Sequence, residues 1–498
     1  MGALSSVAVF LAVAPIPANA DEPAAIAEEL TAANWERLVP NGKEVDAIYG
    51  DTVLQNDYLR AVIAKPGATR NANMTVRNVG GCLIDLTSRD HESDQLSAFY
   101  PARRTFVFGD EVATTLSQAS ATVDGLTATV TTGYAEVRST GTDEEPVFEI
   151  DYSLSSNDRF LEIQSIWTNT TKADITLTLE DDLRADAGKE DMPKAPNGTH
   201  ELFWFHDIYW QQAYGIHVPG FRIRCNSNAR ESVLAYEPLD GKPVVIKPGE
   251  SFSLLRLMFV AKDLPTVLAN YDHSREKSGG LARVELSVVA GGKPVTGARV
   301  ALKCGDDHRG TVVTGADGTS RIRLPVGECV ATVIVAGKEF EPRTLTISRE
   351  STPIIDLTEY TPGIARITIT DFEGRLIPAK VEFRGNDETP TPNWGPETAE
   401  HFVRNLAYAP NGLVSTPLES GNYDLTVSHG PEYNAEFTKL KIEHGTTTHL
   451  TVKLPRMVEM KQEGWLSCDM AVPATTSDVR LRMIAEKMHL VAIVVDEA

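Results

Sequence analysis

Residues 200–221, HELFWFHDIYWQQAYGIHVPGF, hold a dense set of groups able to do chemistry. Seven aromatic residues, Phe203, Trp204, Phe205, Tyr209, Trp210, Tyr214 and Phe221, are interleaved with His206, Asp207, Gln211 and His217. Flat apolar faces beside hydrogen-bonding groups are what a sugar or an aromatic ligand requires. Trp204, His206, Asp207, Tyr209, Trp210 and His217 are therefore the candidate ligand-binding residues. The upstream acids of LEDDLRADAGKED supply polar partners. The same pattern also suits a sandwich core plus a loop, and the exposure of the two tryptophans separates the readings. His206 and His217 are not expected to share a metal, because their spacing fits no regular ligand geometry.

Other reactive groups are sparser. The paired acids Asp181-Asp182, Glu190-Asp191 and Asp306-Asp307 have no base beside them and are expected as solvated surface. No Gly-rich phosphate loop, G-x-S-x-G elbow or CxxC pair occurs. Cys304 and Cys329 fall in one small β unit. Oxidised, they would close a loop of about 26 residues and stabilise it by about 3 kcal/mol in the chain-entropy model. Two buried free thiols are the alternative.

The elements that must position these groups are mostly strands. From residue 30 to about 275, short alternating runs such as FEIDYSL and FSLLRLMFVA are bounded by Gly, Asn, Asp and Pro. Period-two patterning of this kind predicts antiparallel sheet, here a large two-sheet supersandwich. YDHSREKSGG (271–280) reads as a linker. Residues 282–358 form a compact β unit with a hairpin signal at Asp317-Gly318. Residues 363–455 repeat its logic around a long Pro-rich insertion, RGNDETPTPNWGPETAEHFVRNLAYAPNG. After Leu454 the period changes. GWLSCDMAV is a strand, VRLRMIAEKMHL has helical spacing, and LVAIVV is a uniformly apolar strand, which together predict a βαβ segment over 456–498.

Composition bounds the function. The 498 residues carry 47 basic and 69 acidic groups, a net charge of −22, which opposes binding to nucleic acid. Residues 1–20 read as a signal peptide, with a short apolar run before Ala18-Asn19-Ala20. The expected location is periplasmic, cell-surface or extracellular, and no segment is long and apolar enough to span a membrane.

Three resemblances sharpen these expectations. The first unit is similar in pattern to the sugar-mutarotase supersandwich. The string GKPVTGARV, the D-G turn and LPVGECVATV resemble a carboxypeptidase regulatory-like, Ig-like sandwich. The segment GWLSCD with AEKMHLVAIVV resembles the entry strand and first βα unit of the polymerase and histidinol phosphatase (PHP) metallohydrolases, in particular their exported CehA/McbA subgroup. The PHP resemblance is strongest over residues 454–498. It implies a divalent metal held by two His at i and i+2 on one strand face. Here those positions are Ala471 and Pro473, and Asp469 and Glu497 remain as vestigial ligand positions. The segment is thus expected to be a degenerate, truncated PHP fragment with no catalytic residue, metal or cofactor. The functional expectation is an exported, mainly β, non-catalytic binding or scaffold protein for carbohydrate or cell-surface ligands. Its alternative is a CehA/McbA-type hydrolase whose catalytic barrel is missing from this chain. The oligomeric state is left open.

Overall fold

A computed structural model describes residues 25–42, 44–66, 69–73, 76–104, 106–107, 117–121, 127–132, 136–137, 146–185, 191–193, 198–227, 232–275, 280–358, 360–394, 402–472, 483–488 and 490–493. The expected signal peptide, Pro473 and Glu497 lie outside them. The protein is mainly β, and its first unit is a two-sheet sandwich. Strands Val147–Ser155 and Phe160–Thr168 show why. Each alternates strictly, so Phe148, Ile150, Tyr152 and Leu154 of one and Leu161, Ile163 and Trp167 of the other turn into a shared core. The two pair antiparallel, and Ser251–Ala261 continues the sheet beside Phe160–Thr168. The facing sheet includes Thr52–Gln55, Leu59–Ile63, Leu83–Ser88, Leu96–Tyr100 and Glu180–Ala185.

One ion pair crosses this core. Arg256 projects inward from Ser251–Ala261 and grips Asp181 of the opposite sheet through Nε (2.7 Å) and Nη2 (2.8 Å). Tyr236 also donates to Asp181, and Arg256 Nη1 donates to Ser165 Oγ at 2.6 Å. Asp181 was expected at the surface; it is wholly buried. A charge enters an interior only when its partners replace water, and here the carboxylate accepts four hydrogen bonds, from two guanidinium nitrogens, Tyr236 and the Ala102 amide.

The stretch expected as a linker is partly helical. Helix Leu264–Ser274 starts at Asp263, whose carboxylate accepts from the Thr266 amide, and runs four residues into 271–280. Its Leu264, Val267 and Tyr271 cover the outer face of the second sheet against Ala213, Phe259 and Ala261. The next unit presses on the same helix: Gly310 has φ +90°, and a Cβ there would sit 2.7 Å from Leu264 Cβ.

The two small units share one wiring. In the first, Leu281–Ala290 pairs antiparallel with Thr319–Pro325 and parallel with Ile354–Asp356. In the second, Gly363–Thr370 pairs antiparallel with Leu413–Leu418 and parallel with Thr447–Lys453. The facing sheets match as well, with Arg299–Cys304 between Asp307–Val313 and Gly327–Val335, and Ala379–Asn386 between Leu406–Ala409 and Gly421–Ser428. Cys304 and Cys329 are register partners on adjacent strands, joined as a disulfide with a Cα–Cα distance of 4.0 Å.

Beyond the third unit, Cys468–Val472 and Leu490–Ile493 pair parallel, the orientation expected for a strand–helix–strand segment. Between them a helical turn is described over 483–485. This segment docks on the loop HGPEY: His429 Nδ1 lies 3.1 Å from the Ala485 carbonyl, and Lys380 pairs with Glu486. Glu432 and Arg456 close the junction with two hydrogen bonds, at 3.1 and 2.6 Å.

Candidate functional site

Strands Leu202–Asp207 and Gln212–His217 pair antiparallel, and alternation divides their aromatic residues between two faces. Phe203, Phe205 and Tyr214 point into the inter-sheet core, where Phe205 and Tyr214 stack with centroids 4.8 Å apart. Trp204 points out, but the second unit covers it: His308 stacks on its ring at 5.6 Å and 19°. His308 Nε2 also lies 2.5 Å from Asp191 Oδ2, and Asp191 exchanges backbone hydrogen bonds with His206. His206 is buried, and burial lowers its pKa to about 4 although Asp191 opposes the shift. It is therefore neutral near pH 7. Trp204 and His206 thus belong to the joint between the first and second units.

His217 sits apart, with Nδ1 2.7 Å from the Glu201 carbonyl and its ring against Tyr271. Burial lowers its pKa too. Asp207 is buried at the base of the turn 208–211, where its carboxylate accepts from the Trp210 amide at 2.8 Å. Gln211 closes the turn at φ +53°. His91 Nε2 lies 3.2 Å from the Trp210 carbonyl and ties the turn to the facing sheet. Asp207 and His91 therefore act on the turn itself, fixing the loop that presents Tyr209 and Trp210. Both rings are half-buried.

Tyr209 leaves the first unit and lines a groove of about 710 Å³ whose other lining residues belong to the third. They include Glu382 and Arg384 of one strand, Asn393 of the Pro-rich insertion, and Arg404 and Asn405 of a two-residue hairpin turn. The second unit contributes behind the ring, with the Arg299 guanidinium 5.0 Å from its centroid. The insertion is pinned by Asn393 donating its amide to the Ala336 carbonyl, and by Trp394 donating to the Arg404 carbonyl at 2.8 Å. Trp394 packs on Phe383 and Phe402 beneath the groove.

The polar lining is set up for planar donors and acceptors. Arg384 Nε donates to Glu382 at 2.9 Å, and Asn405 Nδ2 donates to the Phe383 carbonyl at 2.9 Å. Arg404 is exposed and held at φ +51°, a backbone state that costs a non-glycine residue on the order of 1–3 kcal/mol and concentrates at ligand sites. One aromatic ring facing two guanidiniums, two amides and a carboxylate suits a polyhydroxylated ring. Among the described lining residues no nucleophile is paired with a base.

Sequence reasoning reached Tyr209 and missed every groove residue of the third unit. Their one signal was the length and proline content of the insertion. At the other end of the chain, Asp469 is exposed on Cys468–Val472, and Ala471 lies on the same strand. Among the described residues no group of three or more His, Cys, Asp or Glu is placed to hold a metal. Among the described residues, Ala471 offers no donor atom to the metal that the PHP resemblance implies. No helix among the described residues is long and apolar enough to cross a membrane.

No family model matches the chain, and no curated protein does. Solved structures give low likenesses. A TPR-domain containing protein from Parabacteroides distasonis ATCC 8503 is 12% identical, with 43% of this chain and 47% of that one covered at a TM-score of 0.32. The chain therefore spans about half the length of that protein. A galactose mutarotase-like protein from Lactobacillus casei ATCC 334 is 10% identical, covering 43% and 100% at 0.26. The minor pilin of Streptococcus agalactiae is 13% identical, covering 36% and 97% at 0.18.

Proposed function

We propose that the protein is an exported, non-catalytic binding or scaffold protein that holds a carbohydrate in the groove beneath Tyr209. The observation that carries this reading is the groove's construction: a ring from the first unit faces fork and amide donors from the third. Sugars are bound where an aromatic face takes the C–H surface and planar polar groups take the hydroxyls. Export is supported by the signal-like first twenty residues and by the Cys304–Cys329 bond, since disulfides persist in oxidising compartments.

Calorimetric titration with a panel of neutral and acidic oligosaccharides tests the reading. Tyr209→Ala and Arg404→Ala should each weaken the best ligand by about tenfold or more, as loss of a ring contact or charged hydrogen bond implies. Both variants should melt where the parent melts. A panel without any binder, or a binder indifferent to both substitutions, would remove the groove from consideration.

The parallel pairing of Cys468–Val472 with Leu490–Ile493 favours a second reading, kinship of the terminal segment with PHP-type metallohydrolases. With Ala471 at a ligand position, purified protein is expected to carry no stoichiometric Zn, Mn or Fe. One equivalent of metal, lost in Asp469→Ala, would put the second reading first.

A further inference from the structure

A second recess, of about 570 Å³, lies between the first two units. One wall is the start of helix Leu264–Ser274 with Lys262 and Arg159; the other is the sheet face of Leu281–Ala290 and Thr319–Pro325. Five cations line it, Arg159, Lys262, Arg283, Arg321 and Arg323, against Asp90, Glu285 and Glu350. In a chain of net charge −22 this is a local reversal of sign.

Five cations against three acids leave the recess with an excess of positive charge. Arg321 is taken by Glu285 at 2.9 Å. Arg159 lies over the Tyr58 ring at 4.6 Å and donates to the neutral amide oxygen of Asn270 at 3.4 Å, with no carboxylate partner among the described residues. Lys262, Arg283 and Arg323 make no ion pair among the described residues. Arg283 and Arg323 are moreover register partners on adjacent antiparallel strands, both on the exposed face, while Glu350 is the register partner of Arg283 on its other side, so Arg323 is the one of the pair with no acid in register. Like charges directly opposite one another destabilise a sheet pair. An apposition of this kind becomes favourable when an anion lies between the two guanidiniums, which meet carboxylate and sulfate groups through paired N–H donors.

We infer that this recess is a binding site for an acidic polysaccharide, a sugar chain bearing carboxylate or sulfate groups. The cations are spread over both walls, so a ligand that carries more than one anionic group could meet both. Thr266, Asn270, Ser351 and Thr352 stand among them as hydroxyl and amide partners for sugar hydroxyls. The site shares no residue with the Tyr209 groove and stands or falls independently of it.

The test is calorimetry of the full chain at low ionic strength with oligogalacturonate, a chondroitin sulfate oligosaccharide, maltodextrin and single-stranded DNA. The acidic sugars should bind, maltodextrin should not, and affinity should fall as salt rises. Arg283→Gln with Arg323→Gln should weaken binding by about tenfold or more, whereas Tyr209→Ala should leave it unchanged. Without ligand, Arg323→Gln should melt no lower than the parent, because it removes a like-charge contact; this shows that the fold survives. Binding of neither acidic sugar, binding untouched by the double variant, or equally tight binding of DNA would overturn the assignment.

Discussion

Asp181 and Arg256 illustrate how little a residue's type says about its place. An acid in a stretch of mixed polarity reads as surface, yet this one is the carboxylate partner of a guanidinium buried between two sheets. Asp181→Ala should cost about 3–5 kcal/mol in chemical unfolding, because Arg256 would stay buried without its counter-charge. A loss under 1 kcal/mol would mean that water reaches Arg256. Asp85 and Asp94 are a different case. Both are wholly buried, and each has one carboxylate oxygen without a hydrogen bond. Burial first, then the charges of Asp46 on Asp85 and of Asp85 on Asp94, raise both pKa values well above the usual carboxylate range. A raised folded-state pKa contributes stability at low pH that is lost as pH rises through it. Asp85→Asn should therefore raise Tm more at pH 8 than at pH 5 relative to the parent. Equal shifts at the two values would show that Asp85 titrates normally.

At the scale of elements, alternation was legible and neighbours were not. The strands around Phe148 and Leu161, the Asp317-Gly318 turn and the parallel terminal pair all follow from period and turn chemistry. The helix at Leu264–Ser274 was hidden because its start, DLPTVLANYDHS, runs straight from an apolar strand into polar residues. The docking of the terminal segment rests on a local steric fact. Gly430 has φ +71°, and a Cβ there would collide with the Glu486 carbonyl oxygen. Gly430→Ala should therefore release the segment while leaving the third sandwich intact. Hydrogen exchange should rise over 465–493 and stay unchanged over 363–455; faster exchange throughout would mean that the segment is integral to the sandwich core.

For the molecule as a whole, polar contacts and a few close packing contacts, such as Gly310 against Leu264, join the units. His308 with Asp191 and Trp204 ties the first to the second, Lys338 with Glu419 the second to the third, and Lys380 with Glu486 the third to the terminal segment. Each unit encloses its own apolar core. Unfolding is expected in more than one step, and the disulfide should act on one step only. Cys304→Ser with Cys329→Ser should lower the stability of residues 282–358 by about 3 kcal/mol in the chain-entropy model. Calorimetry that showed all transitions moving together would instead mean that the units melt cooperatively.

The sequence by itself determined the β class, the pairing candidates Cys304 and Cys329, and the loop that carries Tyr209. Each of these is encoded locally, in periodicity, turn residues or spacing. Tertiary structure alone decided that Trp204 and His206 belong to a joint, that Asp181 is buried, and that Tyr209 meets Arg384 and Arg404 across the chain. Those outcomes depend on which outward face of a sheet another unit covers. Alternation states that a residue points out; it carries no information about what lies outside.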